Sequence, residues 1–144
     1  GKVVVRYHRV LGRPEHRELL DRMIPDTDRK YTIFPGLFFG LAGLGDFHMD
    51  LVQFGYQPES SLERARKTLA GCLLFRLDEP EGVAFPGESL SRISCDYGTG
   101  NAGIGLLAHR IATQGSADFM LDELIPEAGA RPTVSSTSEL VAAV

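Results

Sequence analysis

A thiol, a carboxylate and a phenol stand side by side at Cys95-Asp96-Tyr97, directly ahead of the run Gly98-Thr-Gly-Asn-Ala-Gly103. Asp96 in that company could serve as a general base or acid. An Asp ahead of a helix more often serves as a cap. The glycine run matches G-x-G-x-x-G, which in a dinucleotide-binding fold follows a buried strand and offers helix N–H groups to a pyrophosphate. Here Arg92-Ile-Ser-Cys-Asp-Tyr97 precedes it, which is no continuous apolar strand, so a nucleotide site is not expected. Glycines at a helix start also let backbones approach closely. His48 and His109 lie eight and nine residues beyond Gly40 and Gly100, on helices that read as buried, where a hydrogen-bonded core histidine is the expectation. His8 and His16 stand among polar residues, and Cys72 on an apolar helical face reads as core. The sequence has no H-E-x-x-H, C-x-x-C, G-x-S-x-G or Walker loop.

The elements that must position these residues repeat. Gly40-Leu-Ala-Gly43-Leu-Gly45 aligns without a gap on Gly100-Asn-Ala-Gly103-Ile-Gly105, and the register continues to Leu51 and Ile111. A fixed period marks a solenoid or a closed ring of repeats. Each unit has a Gly-rich turn running into an apolar helix, one over about 41–54 and one over about 101–113. The first is apolar nearly all round and is expected to be buried on most sides. A capping box, Ser60-Ser-Leu-Glu63, opens an amphipathic partner helix to about Leu74. Buried and half-buried helices in alternation predict inner and outer helices, so the fold class is all-α. Lys2–His8 reads as a short strand and Pro14–Ile24 as a helix stopped by Pro25. Leu74–Leu77 and Val83–Phe85 read as a small hairpin. A second outer element is expected over Ala117–Ile125, and 127–144 reads as a tail with a last helical turn near Glu139–Ala143. The domain reading is therefore a lead-in over 1–30, two repeats over 31–126, and the tail.

Helices whose Gly-rich N-termini gather at one end make a concave floor, and their N–H groups favour anionic or polar ligands. Phe38 and Phe39 line it in one unit, with Asp96, Tyr97, Thr99 and Asn101 in the other. Composition narrows the partners. A net charge of −4 with no dense basic cluster disfavours nucleic acid. The longest apolar runs, Gly36–Gly45 and Leu69–Phe75, fall far short of the ~20 residues that span a bilayer, so no membrane partner is expected. Two cysteines are too few for a disulfide scaffold, which suggests reduced thiols and a cytoplasmic protein.

Gly36-Leu-Phe-Phe-Gly-Leu-Ala-Gly-Leu-Gly45 resembles the inner-helix motif of lanthionine synthetase cyclase domains. Ala84-Phe-Pro-Gly-Glu-Ser-Leu, followed by Ser94-Cys-Asp-Tyr-Gly-Thr-Gly-Asn-Ala-Gly-Ile-Gly105, is most similar to the class III branch, in which a lyase, a kinase-like domain and a cyclase-like domain share one polypeptide. The resemblance covers about Tyr31–Ile125. It implies an α/α toroid of seven inner helices ringed by outer ones, of which this chain would supply about the last two hairpins. It implies addition of peptide Cys thiols to dehydroamino acids, giving lanthionine or labionin rings in a precursor peptide. Asp96 and Tyr97 become the catalytic candidates, Phe38, Phe39, Thr99 and Asn101 the substrate-binding ones, and Gly40, Gly43, Gly45, Gly100, Gly103 and Gly105 the structural turn glycines. Zinc-dependent relatives carry Cys-His-Gly at one inner-helix start, whereas the matching positions here hold Phe38 and Phe39, or Gly98 and Thr99. No metal ligand and no cofactor is therefore expected in this segment, and ATP or GTP would belong to the separate kinase domain. The partners implied are the precursor peptide and the remaining lyase, kinase and cyclase segments. A zinc-less module that only binds peptide, or scaffolds the other domains, is the alternative. An α/α-barrel glycoside hydrolase needs two facing carboxylates, and Gly36 stands where a partner for Asp96 would be.

Overall fold

A computed structural model describes residues 1–117 and 122–125. Among the described residues there are five α-helices: α1 (Lys2–Leu11), α2 (Pro14–Thr27), α3 (Leu41–Gln53), α4 (Pro58–Cys72) and α5 (Asn101–Thr113). Strands β1 (Leu77–Glu79) and β2 (Gly82–Ala84) form one antiparallel hairpin in register Leu77↔Ala84, Asp78↔Val83 and Glu79↔Gly82. The fold is mostly helical, with this one small sheet among the described residues.

Helix α3 lies at the centre because it is apolar on more than one face. Leu41, Ala42 and Met49 join Ala65 and Cys72 of α4, Phe85, and Ile104 and Leu107 of α5 in one cluster. On its other side Phe47 and Leu51 meet Val5 of α1 and Leu20 and Ile24 of α2. A helix buried on both flanks must be apolar nearly all round, so the sequence pattern of α3 follows from its place. Helix α4 packs most extensively along α3 and keeps Glu63 and Arg66 in water. Helix α3 stops in a Schellman motif. Gly55 takes φ 72°, its N–H bonds Val52 O, and the Tyr56 N–H bonds Leu51 O at 2.8 Å.

Several expectations need correcting. Lys2–His8 is helix rather than strand. The Val3-Val4-Val5 run favours strands locally, but helix α1 sets Lys2 and Arg6 on one face, where both reach carboxylates of α3. Gly12, at φ 62°, caps it with an N–H bond to His8 O. Pro25 does not stop α2, which runs to Thr27 with the proline inside its last turn. A proline there removes only one helical donor, and Thr27 Oγ1 ties that turn to Ile24 O at 2.8 Å. The capping box does not form. Helix α4 begins at Pro58, whose fixed φ suits a first turn. Ser60 and Ser61 donate their hydroxyls to Gln57 O and Tyr56 O instead of accepting from helix N–H groups. Leu73–Phe75 is a 3₁₀ turn, so the hairpin begins at Leu77.

Helix α5 spans the expected residues but is buried on one side only. Ala102, Gly105 and His109 are exposed among the described residues. The expected outer element at Ala117–Ile125 lies partly outside the described residues, within which Asp122–Leu124 forms a 3₁₀ turn. The last turn near Glu139–Ala143 lies wholly outside them. No helix among the described residues is long and apolar enough to cross a membrane.

Candidate functional site

The period of 60 is built into the backbone. The first N–H of α3, at Leu41, bonds Phe34 O at 3.1 Å, and the first N–H of α5, at Asn101, bonds Ser94 O at 2.8 Å. Each helix thus takes its first bond from the carbonyl seven residues back. Gly40 and Gly100 are the extended N-cap residues. Gly43 and Gly103 sit inside the first turn, where a Cβ would collide with Leu37 O and Tyr97 O, again equivalent positions. Only glycine lets the loop lie that close. Gly45 and Gly105 are likewise helical rather than turn residues.

The two loops lie on each other. Phe38 N–H donates to Gly98 O at 2.7 Å, and a Cβ on Gly98 would strike the Phe38 ring. Phe38 and Gly98 are equivalent by the repeat, so a large and an absent side chain interlock. Tyr97 meets Phe38 edge-on, centroids 6.3 Å apart. Beside this junction opens a pocket of about 170 Å³, lined by Phe34, Phe38 and Phe39 from the first loop, Thr99 from the second, and Glu88 and Ser89 from between the units. The third wall is a small closed loop, fastened by the Pro86–Ile93 bridge and by Gly87 N–H to Arg92 O at 2.8 Å. Phe39, Ser89 and Leu90 have φ near +58° (59°, 57° and 57°), so left-handed backbone of non-glycine residues concentrates at this rim. Such strain persists where surrounding structure enforces it, and it gathers at ligand clamps.

Of the six residues expected on the floor, Phe38, Phe39 and Thr99 line this pocket, while Asp96, Tyr97 and Asn101 do not. Asp96 braces the second loop. Its carboxylate accepts from Ser94 Oγ, from Thr99 N–H at 2.7 Å and from Thr99 Oγ1 at 2.9 Å. The Ser94 hydroxyl, then the Thr99 donors, hold it far below the usual carboxylate range. A carboxylate so stabilised is a weak base. Asn101 accepts the Phe85 N–H on Oδ1 at 2.6 Å, which holds the third wall against α5. The expected floor of open N–H groups does not form at Leu41, Ala42 and Asn101, because loop carbonyls take those donors. His48 is buried and contacts Thr27 O through Nε2 at 3.3 Å, as expected, but His109 is exposed. Cys72 is core, its thiol pushed up to about 12 by burial, and Cys95 is exposed.

Sequence reasoning missed two features. One is the third wall, although Gly87-Glu88-Ser89 lies within the Ala84–Leu90 motif. The other is an ionic cluster beneath the loops. Arg110, fully buried, pairs with Asp46 and with Asp50 at 3.0 Å. Arg6 pairs with Asp50 at 2.7 Å and Asp122 at 2.6 Å, and Lys2 with Asp46 and Asp50. Burial works against the Arg6 guanidinium, but Asp122 and Asp50 more than compensate and raise its pKa. The available signal was the spacing of four between Lys2 and Arg6 and between Asp46 and Asp50.

Phe38, Phe39, Gly98 and Thr99, the positions compared above with a zinc-ligand motif, offer phenyl rings, a glycine and a threonine, which make no suitable donor set. Among the described residues no group of three or more His, Cys, Asp or Glu is placed to hold a metal ion. The chain matches no protein-family model, no curated protein and no solved structure.

Proposed function

We propose that this chain is the peptide-binding end of a cyclase-like α/α toroid in a class III lanthionine synthetase. The observation that carries it is the duplicated loop-and-helix frame, whose two loops meet at one pocket. The central helix α3 and the half-wet α4 suit an inner and an outer helix. In the reaction, a cysteine sulfur of the precursor peptide bonds to the β-carbon of a dehydroamino acid. The alkene pair moves to the α-carbon, which takes up a proton as the thiol gives one up, so the sum is a simple addition. The site contributes by holding thiol and alkene together, a large effect on its own. With Asp96 committed to its loop, the Tyr97 hydroxyl is the remaining one of the two candidates for moving a proton.

The second reading is a docking module without ring-forming activity, and the strong hydrogen bonding of Asp96 favours it. The test uses the whole polypeptide as its native cells make it, with a dehydrated, cysteine-bearing precursor. Ring formation is read as loss of alkylatable thiol by mass spectrometry. A Tyr97→Phe variant that keeps peptide affinity but forms rings at least tenfold more slowly supports the cyclase. An unmodified polypeptide that binds the peptide and forms no rings overturns the cyclase in favour of docking.

A further inference from the structure

We infer that the pocket between the two loops takes an arginine or lysine side chain of the bound peptide, with the rings of Phe34, Phe38 and Phe39 supplying its walls and Glu88 its counter-charge. The inference deepens the peptide-binding reading above but does not require ring formation. Four observations converge on it. The pocket is aromatic, and the faces of aromatic rings attract cations. Its one charged lining residue is Glu88, whose carboxylate makes no ion pair within the described residues, although Arg92 closes the same loop. The segment 76–92 that leads through the hairpin into that wall carries Asp78, Glu79, Glu81 and Glu88 against Arg76, which pairs with Asp78 at 3.5 Å, and Arg92, so its charge is net acidic and the local field favours a cation. Three of the helix N–H groups that would favour an anion, those of Leu41, Ala42 and Asn101, are consumed by loop carbonyls.

The occupant is a peptide rather than a free amine because the aromatic surface continues. A second groove, lined by Tyr31, Thr32 and Ile33 with Arg29 beside them, shares Phe34 and Phe39 with the pocket, so the cationic side chain belongs on the Glu88 side of Phe39 and an uncharged one on the Arg29 side. Tyr31 and Ile33 are three-quarters exposed and Phe39 is 91% exposed. An extended chain crossing Phe39 would place one side chain on each side of that ring.

The test is titration of the full chain with two fluorescently labelled hexapeptides. They are alike except that one carries arginine and the other citrulline, its neutral isostere, flanked by leucine and alanine. The arginine peptide is expected to bind roughly tenfold tighter at low salt. Glu88→Gln and Phe39→Ala, both at exposed side chains, should each bring that ratio to threefold or less while helical content stays unchanged. N-acetylarginine amide should bind at least tenfold more weakly than the hexapeptide. Equal affinity for the two hexapeptides, or a preference that survives both substitutions, would overturn the inference. Equal affinity for the amide and the hexapeptide would overturn the peptide as occupant. Ring formation is measured separately, so a charge preference without rings removes the cyclase and leaves the pocket assignment standing.

Discussion

The two loop-and-helix units share a backbone and differ in what they attach to it. Both take the first helical bond from seven residues back, and both press a glycine of the first turn against a loop carbonyl. At equivalent positions the side chains are then opposites. Phe38 fills the space that Gly98 leaves, Asp50 is the ion partner of Arg110, and Gly36 meets the loop that Asp96 braces. The units are therefore dovetailed rather than copied. The repeat preserves the frame, and divergence inside it supplies the complementary shapes and charges that lock neighbours together.

The strongest test of that dovetail removes Asp50. It is fully buried and faces Arg110, Arg6 and Lys2. Removing one partner of a buried ion pair leaves an uncompensated charge and costs about 3–5 kcal/mol. Urea unfolding of Asp50→Ala should show a loss of that order. Asp28→Ala breaks a partly exposed pair with Lys67, at 2.5 Å, and should cost under about 1 kcal/mol. If the two variants lose equal stability, the cluster does not lock the units.

Glycine scanning sharpens the same comparison. Gly43→Ala and Gly103→Ala should both destabilise, by about 1–3 kcal/mol, because each Cβ strikes a loop carbonyl that cannot move freely. Gly45 and Gly105 should part company. A Cβ on Gly45 meets Thr68 and Leu107, whereas one on Gly105 meets nothing within 4 Å. Gly45→Ala should lower the melting temperature, and Gly105→Ala should raise stability by about 0.5–1 kcal/mol through its helical propensity. A destabilising Gly105→Ala would mean that another segment covers that face of α5.

Much of this frame was legible in the residues. The aligned glycines placed α5 at its true limits and α3 within one residue, because close approach at a helix start restricts which residue can stand there. The illegible parts depend on partners remote in the chain. Helix α1 reads as a strand because its valines are judged locally, while Lys2 and Arg6 find their carboxylates 44 residues away. Asp46 and Asp50 are easily passed over on an apolar helix, since buried carboxylates are rare unless paired. The floor was anticipated at the loops, but the wall at Glu88 and Ser89 depends on a bridge, Pro86 to Ile93, that no periodicity announces.

One equivalent pair separates the units by pH. His48 stands in α3 where α5 has Ala108. Burial holds its imidazole below its ordinary pKa, the backbone contact to Thr27 compensating only in part. The unfolded chain therefore protonates this side chain first, near pH 6.5. Below that pH the unfolded state binds the extra proton, and stability falls until the folded-state pKa is passed. His8, lowered by burial and then by Arg17, contributes with the same sign. Asp28, held low mainly by its hydrogen bond from Lys67, works in another window, since its contribution is lost only as pH falls from about 4. Stability should be lower at pH 5.5 than at pH 7.5, and His48 contributes to that loss. His48→Gln keeps a donor for Thr27 and cannot titrate, so it should shrink the difference between those values to the His8 share and leave the acid limb below pH 4 in place. An unchanged difference between pH 7.5 and 5.5 in that variant would remove His48 from the account and leave the two units alike in their response to protons.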